Sequence, residues 1–305
     1  MKTGIITKGV GGTYTVRSED GELLSCMIRG KIRNVNKIPC IGDIVDYDVS
    51  GDPDIPYVIV RIHKRRNYLV RPPLANVDYL LLTFAVKDPE PDLKLLDKML
   101  IILAILNITP YIIFTKADLD RDEATRLFNI YSKAGYKCFV SSLDDPLLES
   151  DLFEGIENSL IAFAGPSGVG KSTMCNLFLD NETLEVGEVS DRLKRGKHTT
   201  RHVELFRLDK SNNDITDTPG FTSLSLLELG IGYDEIILGY PEMIEASNEC
   251  KFDDCRHINE KCCNVLSLID DTIDKGRYER YKEFYLEAYE NRNNYSLKII
   301  KWRDK

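Results

Sequence analysis

Residues Gly165-Pro166-Ser167-Gly168-Val169-Gly170-Lys171-Ser172 fit the pattern G-x-x-x-x-G-K-[ST]. Glycines at this spacing let backbone N–H groups close around a phosphate, and a helix starting there adds a favourable dipole. In that role Lys171 reaches β- and γ-phosphates and the Ser172 hydroxyl ligates Mg²⁺. Thr173 follows where an α-phosphate would lie. An apolar strand-like run, residues 159–164, precedes the loop and a helical pattern begins near Lys171, which is the context the motif requires.

Two other segments carry matching chemistry. Asp217-Thr218-Pro219-Gly220 follows the strand-like Asp214-Ile215-Thr216. A carboxylate at such a strand end can hold the Mg²⁺ shell, and the Gly220 amide can reach a γ-phosphate. Thr115-Lys116-Ala117-Asp118 ends another apolar strand. An Asp118 carboxylate can accept from both N1–H and the exocyclic amine of guanine, whereas adenine presents an acceptor at N1 and leaves it unpaired. Such a site discriminates by on the order of 10⁴ or more. Lys116 would lay its stem over the base, and Ser141-Ser142, after the next strand, could bring backbone N–H groups to guanine O6. Either element taken alone is also compatible with an ordinary loop.

Four of the eight cysteines, Cys250, Cys255, Cys262 and Cys263, fall within fourteen positions. In a reducing compartment that crowding favours a metal over disulfides. Met1-Lys2-Thr3-Gly4 runs into strand-like alternation without an apolar leader, so we expect an intracellular, cytoplasmic chain. The longest apolar stretch, Met99 to Phe114, is interrupted by Asn107, Thr109 and Pro110 and is too short to span a bilayer. It reads as a buried helix followed by a buried strand.

These residues need elements to position them. Up to about residue 68 the chain shows short alternating strands, with turn signals at Gly11-Gly12, Asp20-Gly21, Gly42-Asp43 and Gly51-Asp52-Pro53. Five or so strands in that length predict a small barrel of the OB type. From Val77 the texture becomes that of an α/β sheet, with strands over 78–86, 110–115, 137–140 and 159–164 and helices over 92–106 and 122–134. Residues 181–202 show no period, and a loop of that length in a compact domain is usually functional or disordered. Beyond about residue 230 the pattern is helical apart from the cysteine cluster. Tyr278, Tyr281, Tyr285 and Tyr289 share one helical face, which favours packing over a base-stacking platform.

The 305 residues carry a formal net charge of −9, which at first argues against a nucleic-acid partner. By segment, however, residues 1–72 carry +4, 73–274 carry −17 and 275–305 carry +4. Basic ends flanking an acidic middle leave room for a polyanion that touches only the ends. The candidate cations are Arg29, Lys31, Arg33, Lys37, His63, Lys64, Arg65, Arg66 and Arg71 near the N-terminus, and Arg277, Arg280, Lys282 and Arg292 near the C-terminus.

In Ras-like GTPases the base-reading motif follows the phosphate loop, and here it comes first. A circular permutation keeps the sheet and the site while moving the chain ends. With Arg71-Pro72-Pro73-Leu74-Ala75-Asn76-Val77-Asp78, Gly196-Lys197-His198-Thr199-Thr200 and the cysteine cluster added, the chain resembles the RsgA (YjeQ/YloQ) family of ribosome small subunit-dependent GTPases over essentially its whole length. The resemblance implies an N-terminal OB-type β-barrel (residues 1–68), a circularly permuted Ras-like α/β P-loop GTPase domain (69–229) and a C-terminal α-helical zinc-binding domain (230–305). It further implies a monomer that binds 16S rRNA in the 30S subunit during late maturation and hydrolyses GTP on stimulation by that subunit, with no membrane partner. Thr115 stands where most Ras-like proteins have Asn, which shortens that side-chain tether.

Phe221 occupies the place of the Gln that orients water in Ras-like proteins and cannot bond water. We expect His198 to do so instead, with Thr199 or Thr200 closing on Mg²⁺. Cys250, Cys255, His257 and Cys263 form a plausible tetrahedral zinc set, with Cys262 competing for the fourth position; the family pattern favours Cys263. Two other readings are an RNA-binding scaffold that uses GTP as a conformational ligand with little turnover, and a small-molecule kinase or ATPase, which Asp118 disfavours.

Overall fold

The computed structural model describes residues 1–28, 38–51, 56–179, 203–208, 211–217 and 225–294. His198, Thr199, Thr200, Gly220 and Phe221, with Arg29, Lys31, Arg33 and Lys37, lie outside the described residues. The chain forms two compact units.

The first unit contains residues 1–80 and 147–221. Its N-terminal part is a closed barrel of β1 (Lys2–Val10), β2 (Thr13–Ser18), β3 (Leu23–Ile28), β4 (Ile44–Val49) and β5 (Tyr57–Ile62), in the order β1-β2-β3-β5-β4. Pairing of β1 with β4 closes it, and β3 runs parallel to β5. Alternate residues point inward, so Ile6, Val16, Cys26, Val45, Tyr47 and Ile59 fill the interior, as the sequence alternation predicts. A short pair, β6 (Tyr68–Val70) and β7 (Pro73–Ala75), follows. Gly42, at φ +83°, lets the barrel approach β7: a Cβ there would sit 2.1 Å from the Ala75 carbonyl.

Among the described basic residues of this stretch several are held by carboxylates, and Arg65 is buried. The buried Arg65 guanidinium forms a two-point pair with Asp43, at 2.7 and 2.8 Å. Arg66 clasps Asp78, whose second oxygen also accepts the Leu160 amide. Arg61 and His63 both bond Asp46. Arg61, Lys64, Arg66 and Arg71 are exposed.

The same unit holds α3 (Glu149–Leu152), β11 (Leu160–Ala164), α4 (Lys171–Phe178), β12 (Phe206–Leu208) and β13 (Asn213–Asp217). β13 pairs parallel with β11 and antiparallel with β12. The five residues of β11 are all buried, as a strand covered on both faces requires.

The second unit contains residues 81–146 and 222–301. The chain enters it along β8 (Tyr79–Ala85), followed by α1 (Leu93–Leu106), β9 (Thr109–Thr115), α2 (Arg121–Lys133) and β10 (Lys137–Val140), with strand order β10-β9-β8. β9 and β10 are parallel, as β-α-β chain order dictates. α1 starts one residue later than its sequence pattern because Asp92 serves as cap, accepting the Leu95 amide. α2 is capped by Asp120 in the same way and stops before Gly135, at φ +93°.

The C-terminal part of this unit comprises a 3₁₀ helix (Tyr233–Gly239), α5 (Pro241–Ser247), α6 (Asn264–Ser267) and α7 (Lys275–Glu290). Gly239 presses against α1, where a Cβ would lie 2.8 Å from the Ile101 nitrogen. Three of the four tyrosines on this face of α7 pack inward: Tyr278, Tyr281 and Tyr285 are buried, with Tyr281 edge-on to Tyr240 at 5.4 Å, while Tyr289 is exposed. Two of the arginines read as RNA-facing are not. Arg277 is fully buried and bonds Asp97 of α1, Glu242 and the Gly239 carbonyl, while Arg280 bonds the other oxygen of Asp97. Asp97 also accepts the Tyr131 hydroxyl at 2.9 Å. Among the described residues, no helix is long and apolar enough to cross a membrane.

Candidate functional site

Gly165, Gly168 and Gly170 all have positive φ, at 147°, 79° and 95°. Each L side chain would be strained there, which is why the turn from β11 into α4 requires these residues. Gly170 caps α4 without any side-chain hydrogen bond, which leaves the first-turn amides without a capping side chain at that position and suits them to an anion.

Lys171 is mostly buried and donates to the carbonyls of Gly165, at 3.0 Å, and Pro166, at 2.7 Å. It is held by its own loop, within reach of any group the loop would wrap. Ser172 donates its hydroxyl to Asp217 Oδ2 at 2.7 Å. Asp217 Oδ1 is buried and has no hydrogen-bond partner among the described residues. Burial holds the Asp217 carboxyl above its ordinary value, with the Ser172 bond and the Lys171 charge working against that rise. Burial likewise depresses Lys171. A buried carboxylate with an orphaned oxygen beside a serine hydroxyl is a set suited to the hydration shell of a divalent cation. Thr173 is exposed on the next position of α4, and Ser167 and Gly168 are exposed at the loop tip.

In the second unit the Thr115–Asp118 turn follows β9. Thr115 is buried and donates to the Phe84 carbonyl at 3.4 Å. Lys116 sits at φ +56° and its amine donates to the Asp88 carbonyl. The Ala117 amide donates to Ser141 at 3.2 Å, and the half-buried Asp118 accepts the Leu143 amide at 3.4 Å. The Ser141 amide is engaged with Phe114 at 2.9 Å and the Ser142 amide with Asp145 at 3.1 Å. The loop after β10 is thus wrapped around the Asp118 turn, with both serine amides already bonded.

Cys250, Cys255, His257 and Cys263 come together, with all four ligand atoms within 4.8 Å of one another. His257 Nδ1 lies 3.4 Å from Cys263 Sγ and 3.7 Å from Cys250 Sγ, and the two sulfurs are 3.9 Å apart. A tetrahedral zinc ion with Zn–S near 2.3 Å and Zn–N near 2.0 Å would separate its ligands by about 3.5 Å (N to S) and about 3.8 Å (S to S). The donor set therefore fits zinc. Cys262 is exposed at φ +64° and stands outside the group. Burial depresses the His257 pKa, which favours the neutral form a ligand needs.

Sequence reasoning missed what supports this cluster. Glu260 accepts the amides of Arg256, Ile258 and Asn259, at 2.7, 2.7 and 3.0 Å, folding the ligand loop around one carboxylate. Burial opposes ionisation of Glu260, but these amides outweigh it and hold the group below the usual carboxylate range. From α7, Tyr278 bonds the His257 carbonyl at 3.1 Å and Tyr281 the Arg256 carbonyl at 2.9 Å. The tyrosine spacing was the available signal, and it marked a helix face without showing what that face held.

Comparison with known proteins bears on all three groups. A family model described as "RsgA GTPase" matches residues 62–227, one described as "RsgA N-terminal domain" matches residues 3–54, and one described as "50S ribosome-binding GTPase" matches residues 160–300. The chain is 39% identical to the "Small ribosomal subunit biogenesis GTPase RsgA" of Caldanaerobacter subterraneus, covering 94% of this chain and 96% of that one. It is also 39% identical to the protein of the same description from Ruminiclostridium cellulolyticum, covering 99% and 100%. Among solved structures it is similar to YloQ, titled a circularly permuted GTPase, with TM-score 0.74, 31% identity and coverage of 95% and 96%. It is similar also to YjeQ from Thermotoga maritima, with TM-score 0.77, 29% identity and coverage of 94% and 98%.

Proposed function

The chain belongs to the RsgA GTPase family and is a GTP hydrolase of ribosome biogenesis, and from that premise we propose that the small (30S) ribosomal subunit stimulates its turnover during late maturation, through contact with 16S rRNA. The observation that carries this reading is near-full-length similarity to proteins described as small ribosomal subunit biogenesis GTPases, together with a barrel in the same compact unit as the phosphate loop. The division of labour is a barrel over residues 1–68, a nucleotide-hydrolysing part over 69–229 and a metal-bearing part over 230–305.

In this reading Asp118 accepts two hydrogen bonds from guanine, Lys116 covers the base, and the Thr115, Ala117, Ser141 and Ser142 backbone shapes the turn around it. The amides of Gly165 to Thr173 surround the phosphates. Lys171 exchanges its two loop carbonyls for β- and γ-phosphate oxygens, which relieves its buried charge. Ser172 and Asp217 hold Mg²⁺, which when bound would neutralise charge on the β- and γ-phosphate oxygens. His198 orients the attacking water, Thr199 or Thr200 completes the cation shell, and the Gly220 amide meets the γ-phosphate. Cys250, Cys255, His257 and Cys263 hold one structural Zn²⁺ that fixes the loop ahead of α6.

The barrel's exposed Lys64 and Arg71, with the basic residues 29–37, supply the charge a polyanion would meet. Cosedimentation with purified small and large ribosomal subunits, in a non-hydrolysable GTP analogue and in GDP, tests the partner. Binding to small subunits, stronger with the GTP analogue, is expected. Equal binding to both subunits, or to large subunits alone, would overturn it.

A further inference from the structure

How the barrel reaches the phosphate site is legible within the first unit, and the inference rests on the small-subunit reading above. The register of β1 on β2 shifts between Ile6 and Lys8. Such a bulge takes one residue out of the ladder. The Thr7 carbonyl accepts the Leu205 amide at 2.9 Å, and Lys8 forms an isolated antiparallel bridge with Glu204, reinforced by a 2.6 Å ion pair. Barrel strand β1 is therefore hydrogen-bonded to the chain that enters β12.

From β2, Arg17 donates to Asp214 Oδ2 of β13 at 2.5 Å, with only 14% and 8% of the two side chains exposed. Arg207 of β12 reaches the same oxygen at 3.4 Å. Among the described residues, Asp214 Oδ1 is buried without a hydrogen-bond partner, and the short bond the carboxylate makes is to Arg17. Lys8 and Glu204, by contrast, are 40% and 37% exposed, and such a pair contributes little.

Asp214 and Asp217 lie on the same five-residue strand, three positions or about 10 Å apart at ~3.3 Å per residue. That strand is held along β11, with Asp214 opposite Leu160 and Asp217 opposite Phe163. No loop intervenes between the carboxylate that grips the barrel and the carboxylate that grips Ser172. We propose that the Arg17–Asp214 pair is the positioning contact through which a partner bound on the barrel sets strand β13, and with it Asp217, at the phosphate site. Arg17 touches no reacting group. It acts through Asp214 and the backbone of β13.

The test uses the full-length protein with purified small ribosomal subunits and compares wild type, Arg17→Gln, Arg17→Lys, Asp214→Asn and the Arg17→Gln/Asp214→Asn double variant. GTP turnover alone, turnover at saturating subunits, KM for GTP and subunit cosedimentation are measured for each. Both single variants are expected to bind subunits and turn over unaided as wild type does, with KM unchanged, while the stimulated kcat falls roughly five- to tenfold. Arg17→Lys, which keeps the charge and one donor, restores stimulation, and the double variant is no worse than either single one because both remove the same contact. Asp214→Asn keeps the shape while removing a buried charge, so it reads the coupling even where Arg17→Gln does not fold. Full stimulation of both single variants, additive losses in the double variant, or loss of subunit binding would overturn the proposal. Wild type that does not respond to subunits would instead bring down the small-subunit reading on which it rests.

Discussion

Replacing Asp97 by Asn removes one charge from a buried group of four. Asp97 Oδ1 accepts Arg277 Nη1 at 2.6 Å and the Tyr131 hydroxyl at 2.9 Å, and Oδ2 accepts Arg280 Nε at 2.5 Å. Neither Asp97 nor Arg277 has any exposed side-chain surface. With Glu242 as the remaining acid, the substitution leaves two guanidiniums facing one carboxylate, an excess positive charge in the interior. Breaking a buried pair costs about 3–5 kcal/mol. Arg280 keeps 17% of its side chain exposed and Arg277 keeps Glu242, which points to the lower end, about 3 kcal/mol. At roughly 2–4 °C per kcal/mol, the second unit should melt about 10 °C lower. Lys94→Ala is the matched control, because Lys94 and Glu283 link the same two helices at the surface, and its loss should cost less than ~1 kcal/mol. Denaturant unfolding followed by circular dichroism gives the cost, and hydrogen exchange of α1 and α7 amides locates it. A cost for Asp97→Asn no larger than that for Lys94→Ala would refute the view that this cluster clamps α7 to α1.

Other consequences are equally direct. Asp118→Asn should lower GTP affinity by about 3–6 kcal/mol, roughly 10²- to 10⁴-fold, since two hydrogen bonds to a charged group are lost; xanthosine triphosphate, with an acceptor at C2, should bind the variant better than GTP in direct titration. Cys263→Ala should abolish near-stoichiometric zinc measured by metal analysis, whereas Cys262→Ala, whose thiol is exposed and outside the cluster, should retain it. Asp217→Asn should end Mg²⁺-dependent hydrolysis yet leave the nucleotide-free protein at least as stable at neutral pH. The sign follows from the raised carboxyl: burial makes the charged form costly in the folded state, so stability declines as pH rises from the ordinary value of 3.8 through the raised folded value, and the neutral amide escapes that decline. Parallel melting of wild type and variant from acid to neutral pH checks it, and a variant markedly less stable at neutral pH would contradict it.

The groups that were legible in the sequence are those whose chemistry is local. Gly165, Gly168 and Gly170 are demanded by backbone angles within one turn. The alternation of β1 to β5 was enough to predict a barrel because each strand shows one inward face. Cys250, Cys255, His257 and Cys263 fall within a short stretch, and folding brings them together as their spacing suggested. What was not legible is which arginines pair internally. Arg65, Arg277 and Arg280 find their carboxylates 22, 180 and 183 residues away, and a one-dimensional sum cannot distinguish a buried partner from a solvated surface. The bulge at Thr7 and its bond to Leu205 were invisible for the same reason, since nothing in either segment names the other.

The central claim is that hydrolysis of GTP by this chain answers to the small ribosomal subunit. GTP turnover measured while purified small subunits are titrated in, with large subunits as the parallel series, tests it most directly. A saturable rise with small subunits and a flat line with large ones is the predicted result; turnover indifferent to small subunits, or raised equally by both, would contradict it.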